Sequence, residues 1–185
     1  IAETLRDGND VINRVTMHAN LADAVDGVGL VIEAAPEKPA LKQALFAELD
    51  TLTGPDVILA SNTSVIPIGR VSEKVQHKSR VLGTHFWNPP HIVRLVEVVQ
   101  TDHTSTAAVE QTMAVLANAG MSPVHVKKDV PGFIGNRLQH ALKREAIALV
   151  ASGVCDAKTL DFVVREGFGA RLGVLGPLEQ SDMIG

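Results

Sequence analysis

Three short apolar runs, separated by helical patterns, constrain the fold of this chain most. They cover residues 29–34, 57–60 and 81–84, and each is followed by polar residues. The leucines between the first two runs recur at helical spacing: Leu41, Leu45, Leu49 and Leu52. A weaker helix is expected over 67–74. Alternating strands and helices are typical of a parallel sheet covered by helices, either doubly wound or closed into a barrel. We therefore predict an α/β fold.

Polar side chains cluster where these strands end. Residues 33–37 follow the first strand, 61–64 the second and 85–88 the third. The carboxyl ends of parallel strands share one edge of a sheet, and open sheets of this kind bind ligands beyond that edge. The sequence therefore predicts a functional site there.

The stretch 80–99 reads as an apolar strand, a Pro-Pro turn and a second apolar strand. His85 ends the first strand, Glu97 lies inside the second, and the midpoint between them falls at the turn. If the segments fold back antiparallel, the imidazole and the carboxylate come opposite each other. A histidine oriented by a carboxylate is a general acid/base. The alternative is a strand-end histidine in a structural salt bridge.

The pattern changes after this strand pair. A helix is expected over 104–119 and a short strand over 124–126, followed by a linker over 127–132. From Phe133 onward the chain reads as all-α, with a flexible Gly-rich stretch over 167–176 before a last helical piece. We therefore predict two domains, at residues 1–126 and 127–185. Ile1, Leu5, Ile12 and Val15 are expected to form a helix remnant interrupted at Gly8-Asn9.

Composition excludes several classes of function. The net charge of −4 and the pI of about 6.0 leave no basic field for nucleic acid or an anionic membrane. The single cysteine, Cys155, excludes an intrachain disulfide framework and suits a reducing compartment, so we expect a cytoplasmic protein. No apolar run nears the roughly 20 residues needed to span a bilayer. No Cys/His set has metal-ligand spacing, and we expect no metal.

Five motifs resemble those of the L-3-hydroxyacyl-CoA dehydrogenase family, in the family's order and near its spacing. They are Ala60-Ser-Asn-Thr-Ser64, His85-Phe-Trp-Asn-Pro89, Leu95-Val-Glu-Val98, Asp129-Val-Pro-Gly-Phe-Ile-Gly-Asn-Arg137 and Gly176-Pro-Leu-Glu179. The resemblance implies a Rossmann-type, doubly wound, mostly parallel sheet that binds NAD, followed by a helical domain that holds substrate and forms a homodimer. It implies hydride exchange between NAD and an L-3-hydroxyacyl-CoA, as in fatty-acid β-oxidation. No Gly-x-Gly-x-x-Gly stands between a strand and a helix, and we expect a fragment without the family's phosphate loop and terminal bundle.

The resemblance also implies roles for single residues. The catalytic set is His85, Glu97, Ser64 and Asn136. Substrate contacts are expected from Ser64, Asn88 and Asn136. The nicotinamide end of NAD is expected near Glu37, Lys42, Ser64 and Asn88. Each residue outside the His–Glu pair also has a structural interpretation: a helix cap for Ser64, turn chemistry for Asn88, a surface helix position for Asn136, a helix N-terminus for Glu37 and solvation for Lys42.

The sequence departs from the family pattern in three places. Trp87 stands where a second Phe is usual, and Gly135 where a β-branched residue is common. Residues 170–175 also differ, and that stretch lies near the substrate in the family. Two alternative functions therefore remain open. One is a related 3-hydroxy-acid dehydrogenase of the carnitine or gulonate type, and the other is a non-catalytic protein like λ-crystallin.

Overall fold

A computed structural model describes residues 12–184. The expected N-terminal helix remnant lies mostly outside these residues. By contacts the chain divides into two compact units, the first ending at Arg137 and the second beginning at Leu138. The predicted domain boundary between residues 126 and 127 stays a prediction.

The first unit is a five-stranded sheet with helices. Its strands are β1 (Leu30–Glu33), β2 (Ile58–Ser61), β3 (Val81–Phe86), β4 (Leu95–Val99) and β5 (Ser122–Val126). Its helices are α1 (Leu21–Ala24), α2 (Pro39–Leu52), α3 (Ile68–Val71) and α4 (Thr106–Asn118), with a 3₁₀ turn at Lys78–Arg80. The helix expected over 67–74 is confined to the four residues of α3. Pro67 before it is extended, and Ser72 ends it.

The strands lie in sequence order, β1-β2-β3-β4-β5. All neighbouring pairs are parallel except β3 and β4, which are antiparallel. The turn between these two strands contains a cis peptide bond at Asn88–Pro89. This mostly parallel sheet with covering helices is the Rossmann-type architecture that the family resemblance implies, and it brings the ends of β1, β2 and β3 to one edge.

Alternate residues of the central strands enter different apolar clusters. Leu59 and Val81 belong to a cluster that contains Phe46 of α2. Ile58 and Leu82 belong to a second cluster with α4. This alternation has the two-residue period of a strand covered on both faces. The strand ends that carry the site therefore extend from a sheet that is packed on both faces.

Helix α5 covers Gly135–Ala151. The second unit continues with α6 (Ala157–Glu166), α7 (Phe168–Leu172) and α8 (Pro177–Ile184). The Asp156 side chain caps α6, accepting a hydrogen bond from Thr159 N at 2.7 Å. In the stretch 167–176, expected to be flexible, the structure has the helix α7. Its glycines permit close packing, since a Cβ on Gly169 would lie 2.3 Å from the Val164 carbonyl oxygen. Within the described part of the chain, no helix has the length and apolar character to cross a bilayer.

Candidate active site

The centre of the site is a hydrogen bond between neighbouring antiparallel strands. His85 of β3 lies directly opposite Glu97 of β4 in the sheet register. The Nδ1 atom of His85 is 2.7 Å from Oε2 of Glu97, and the two side chains are 6% and 2% exposed. The pairing predicted from the fold-back about residue 91 is confirmed. Because the carboxylate accepts the Nδ1 proton, the neutral ring carries its free lone pair on Nε2.

The second oxygen of Glu97 is held by the start of α5. Its Oε1 accepts hydrogen bonds from the backbone N–H groups of Ile134, at 2.9 Å, and Gly135, at 3.0 Å. Just before them the chain passes through left-handed conformations at Gly132 and Phe133. Burial raises the pKa of Glu97, but the hydrogen bonds from His85, Gly135 and Ile134 outweigh it and hold the pKa below its usual value. Glu97 is therefore a stable carboxylate next to the imidazole.

Two aromatic rings contact the imidazole of His85. The ring centroids of Trp87 and Phe133 lie 5.5 and 5.6 Å from it, both tilted by 53°. Phe133 is buried, and Trp87 is partly buried. These contacts make the surroundings of the His–Glu pair apolar, and an apolar environment strengthens the electrostatic interaction between the two side chains.

The loop after β2 connects this pair to the first strand. Asn136, one residue after Gly135, donates from Nδ2 to the Ser64 carbonyl oxygen at 2.8 Å. The Ser64 backbone N–H donates in turn to Oε1 of Glu37 at 3.2 Å. Asn62 of the same loop accepts a hydrogen bond from Phe86 N at 2.9 Å. The loop is thus fixed to both β3 and the start of α5, and Ser64 itself is exposed.

A buried lysine lies between two carboxylates at the end of β1. Lys42 Nζ donates to Glu33 Oε1 at 2.6 Å and to the Ala35 carbonyl oxygen at 3.1 Å, and it lies 3.4 Å from Glu37 Oε2. The Lys42 and Glu33 side chains are each 1% exposed. The interpretation of Lys42 as a solvated residue is therefore wrong. A buried charge requires such partners, and Glu33 gains a further one in Ser61 Oγ at 2.7 Å.

Glu37 differs from its neighbours because its side chain stays 40% exposed. Its carboxylate accepts a hydrogen bond from Thr63 Oγ1 and faces the charge of Lys42. Burial raises the pKa of Glu37, whereas the Thr63 hydrogen bond and Lys42 lower it, with a net shift below its usual value. A fixed and accessible carboxylate can accept hydrogen bonds from amide or hydroxyl groups of a ligand, which is chemistry that fits a nicotinamide nucleoside.

The structure brings six of the seven predicted site residues into one connected set, in the order His85, Glu97, Asn136, Ser64, Glu37 and Lys42. The link from Glu97 to Asn136 runs through the backbone of Gly135. Asn88 is exposed, and its side chain hydrogen-bonds none of the other described residues. The two departures from the family pattern at positions 87 and 135 lie against each other, since a Cβ on Gly135 would meet the Trp87 ring.

Three contributors to the site are not among the seven predicted site residues. Glu33 and Thr63 lie in the polar stretches predicted at the ends of the first two strands, and Phe133 lies in one of the five motifs. Glu33 had a recognisable signal, because a charge in a buried strand requires a partner and Lys42 follows nine residues later. Thr63 and Phe133 carried no such local signal.

The fold is that of a Rossmann-type domain, with the His–Glu pair at the edge of its sheet. Residues 3–130 match the model of the 3-hydroxyacyl-CoA dehydrogenase NAD binding domain, and residues 132–185 match that of the 3-hydroxyacyl-CoA dehydrogenase C-terminal domain. The chain belongs to the 3-hydroxyacyl-CoA dehydrogenase family. NAD, the cofactor expected from the resemblance, is confirmed at the level of the family.

The chain is similar to curated proteins with different names. It is 39% identical to 5-formyl-3-hydroxy-2-methylpyridine 4-carboxylate 5-dehydrogenase of Mesorhizobium japonicum, over 100% of the chain and 62% of that protein. It is 42% identical to L-carnitine dehydrogenase of Streptomyces coelicolor, over 90% and 52%, and 38% identical to lambda-crystallin of Oryctolagus cuniculus, over 91% and 53%. The chain thus spans between half and two thirds of the length of these relatives.

Solved structures agree with the fold. The crystal structure of the pyridine carboxylate dehydrogenase, described as an NAD+ dependent dismutase, matches with a TM-score of 0.85 and 42% identity, over 90% of this chain and 54% of that one. The 3-hydroxybutyryl-CoA dehydrogenase of Escherichia coli matches with a TM-score of 0.76 and 35% identity, over 80% and 31%.

Proposed function

We propose that the whole protein is an NAD-dependent dehydrogenase that interconverts an L-3-hydroxyacyl-CoA and a 3-oxoacyl-CoA. The observation that carries the proposal is the buried hydrogen bond of 2.7 Å between His85 Nδ1 and Glu97 Oε2. This bond directs the proton to Nδ1 and leaves Nε2 as the base.

In the oxidation direction, His85 Nε2 accepts the proton of the substrate's 3-hydroxyl group. Glu97 keeps the ring in the required tautomer and stabilises the imidazolium that forms. A positioned base of this kind typically contributes a factor of about 10²–10⁴ to the rate. In the reduction direction, the imidazolium returns its proton to the oxygen at carbon 3. The nicotinamide of NAD, when bound, would supply the hydride acceptor for that carbon.

The neutral polar groups have supporting roles in this proposal. The Ser64 hydroxyl donates to the reacting oxygen, where negative charge develops and preset dipoles are effective. Asn136 holds the Ser64 carbonyl through one N–H and has a second N–H for substrate. Asn88, exposed at the turn after β3, is assigned to the substrate and to the nicotinamide end of NAD.

Glu37, Lys42, Ser64 and Asn88 would hold the nicotinamide end of NAD. The support for Glu37 is its exposed carboxylate, fixed by Thr63 and Lys42. Lys42 is buried behind it and acts through Glu37 by fixing the position and charge of its carboxylate.

A second candidate is a dehydrogenase for a free 3-hydroxy acid such as carnitine or gulonate. The 42% identity to an L-carnitine dehydrogenase supports it. The 38% identity to lambda-crystallin supports a third candidate, a protein without catalytic activity. For such a protein, replacing His85 or Glu97 would have no effect on any measured property except stability.

A substrate panel distinguishes these candidates. Nicotinamide absorbance is followed while the whole protein is given one substrate at a time. Three assays use acetoacetyl-CoA with NADH, L-carnitine with NAD, and gulonate with NAD. A fourth uses the substrate after which the pyridine carboxylate relative is named. We expect the highest kcat/KM with acetoacetyl-CoA. A higher value with carnitine or gulonate would favour the second candidate, and no turnover with any of them would reject the first.

Replacing His85 by Gln tests the base directly. Glutamine has no group that can accept and return a proton at neutral pH, so we expect turnover to fall by about 10²–10⁴-fold or more. NADH binding, measured by nucleotide fluorescence, should stay close to that of the unchanged protein. Turnover equal to that of the unchanged protein would remove His85 from the mechanism.

Three further expectations belong to this proposal. A cytoplasmic location is supported by the single cysteine. A homodimer formed through the helical unit is supported by exposed apolar side chains there, including Ile147, Val154 and Phe162. A role in fatty-acid metabolism depends on the acyl-CoA substrate.

A further inference from the structure

The indole of Trp87 lies directly on the backbone of Gly135. A Cβ built on Gly135 would come within 2.1 Å of Cζ2 and 2.8 Å of Cη2 of this ring. These distances are far below van der Waals contact, so any other residue at position 135 would displace the indole. Gly135 does not have a left-handed φ. Glycine is therefore required here by the close approach of the ring, rather than by the backbone conformation.

The same indole contacts the imidazole of His85, with ring centroids 5.5 Å apart. The hydrogen bond to Glu97 fixes Nδ1 of His85 but still permits the ring to tilt about that atom. Contacts with the rings of Trp87 and Phe133 oppose this tilt. The position of Nε2 therefore depends on where the indole lies.

Packing alone holds the indole in this position. Its Nε1 atom is buried and makes no hydrogen bond with the described residues. A buried N–H group without an acceptor is unfavourable, and no hydrogen bond anchors the ring. The space above Gly135 is thus the feature that determines where Trp87 lies.

We infer that Trp87 is a positioning residue for His85 and that Gly135 provides the space its indole needs. The inference rests on the proposed function, in which His85 is the base. Gly135 then has two roles: its N–H fixes Oε1 of Glu97 at 3.0 Å, and its missing side chain admits the ring against His85. Both members of the His–Glu pair depend on this one residue.

A double-mutant cycle tests the inference in the whole protein. Gly135→Ala should displace the indole and lower kcat by roughly 10- to 100-fold, since a misplacement of about 1 Å can cost a factor of 10². The KM for NADH should stay unchanged. Trp87→Phe retains a ring beside His85 but lacks the outer indole atoms that meet position 135. The double variant Gly135→Ala/Trp87→Phe should therefore regain the activity of Trp87→Phe alone.

Two spectroscopic measurements need no turnover. Trp87 is the only tryptophan of the 185 residues, which also contain no tyrosine. Subtracting the spectrum of Trp87→Phe isolates its emission, and Gly135→Ala should shift that emission to longer wavelength as the ring leaves its buried site. The downfield proton resonance of His85 Nδ1–H, which reports the hydrogen bond to Glu97, should shift or broaden in Gly135→Ala and return in the double variant.

Gly29→Ala is the matched control, because a Cβ there meets nothing within 4 Å and its φ is not left-handed. It should change neither kcat nor Trp87 emission. If the whole protein transfers no hydride but both spectra respond as described, the proposed function fails and the structural coupling stands. Losses in kcat that simply multiply in the double variant, or an unchanged emission in Gly135→Ala, would overturn the inference.

If Gly135→Ala does not fold, variants of Trp87 test whether the indole positions His85. Trp87→Ala removes the contact with His85 and should lower kcat about tenfold or more without changing the KM for NADH. Trp87→Phe should lose less activity than Trp87→Ala, because a phenyl ring still contacts the imidazole. Full activity in Trp87→Ala would show that His85 is positioned without the indole.

Discussion

Glu97 uses both of its carboxylate oxygens, and each contacts a different part of the chain. Oε2 accepts from His85 in the neighbouring strand, and Oε1 accepts from Ile134 and Gly135 at the start of α5. The side chain therefore sets the tautomer of the imidazole and joins the sheet to the helix that carries Asn136. An acceptor is needed on both sides, which only a carboxylate of this length provides.

Replacing Glu97 by Gln should therefore be severe although the two side chains have nearly the same shape. If the amide oxygen faces Ile134 and Gly135, the NH2 group donates to His85 Nδ1 and selects the tautomer with its proton on Nε2. That tautomer cannot accept the substrate's proton, so we expect kcat to fall by roughly 10²–10⁴-fold. Steady-state rates measured beside Glu110→Gln, an exposed change on α4, provide the check. A loss no larger than that of the control would mean that the carboxylate only stabilises the fold.

Arg80 connects the end of α2 to the beginning of β3. Its Nη1 donates to the carbonyl oxygens of Gly54, at 2.6 Å, and Val57, at 3.0 Å, and Nη2 donates to Asp50 Oδ1 at 2.7 Å. The Arg80 and Asp50 side chains are each 5% exposed. The arginine thus satisfies carbonyl groups in the α2–β2 connection and helps hold β3, the strand that carries His85.

Asp50→Asn should lower the stability of the protein in a pH-dependent way. Removing one partner of a buried ion pair typically costs about 3–5 kcal/mol. Burial raises the pKa of Asp50, but hydrogen bonds from Arg80 and from the Gln76 and His77 backbone outweigh it and lower the pKa. The stabilisation is therefore complete above the unfolded-state pKa of about 3.9 and is lost as the pH falls through the lower folded value.

Urea unfolding of the unchanged protein and of Asp50→Asn at several pH values measures this difference. The gap in unfolding free energy should be largest near neutral pH and shrink below a pH of about 4. Asp56→Asn, at an exposed position with no such partner among residues 12–184, serves as the control. A gap that stays constant through the acid range would assign the effect of Asp50→Asn to packing instead.

The pair of strands β3 and β4 shows which contacts of the site could be predicted from the sequence and which could not. The registry of His85 with Glu97 could be predicted because an antiparallel fold-back about a Pro-Pro turn leaves one natural pairing. The contact of Glu97 with Ile134 could not, since 37 residues and two elements separate them and no local pattern encodes where a helix begins in space. The burial of Lys42 could not be predicted either, because a charged residue on an amphipathic helix usually lies in solvent. The contact between Trp87 and Gly135 could not be predicted either, because it depends on where the tertiary fold places the two residues.

The two units of the chain differ in how completely they bury their apolar side chains. The sheet unit has a core in which Leu59, Leu82 and Val98 are 0% exposed. In the helical unit, α6 has no buried residue, and Val154 and Phe162 are 70% and 58% exposed. Amphipathic helices with open apolar faces gain most of their stability from whatever packs against them. The helical unit therefore depends on a covering surface in a way that the sheet unit does not.

Hydrogen exchange should resolve this difference residue by residue. In the 185-residue chain we expect the slowest amide exchange in β2, β3 and β4, because their residues are almost all buried. We expect fast exchange in α6 and α7, because local opening of these helices exposes little further apolar surface. In the whole protein, exchange in α6 should slow markedly once its apolar face is covered, while exchange in β2 stays the same. Mass spectrometry on the two forms, compared at equal pH and temperature, measures both. If α6 exchanges as slowly as β3 in the 185-residue chain, the helical unit is stable by itself, and its exposed apolar side chains need another explanation than a covering partner.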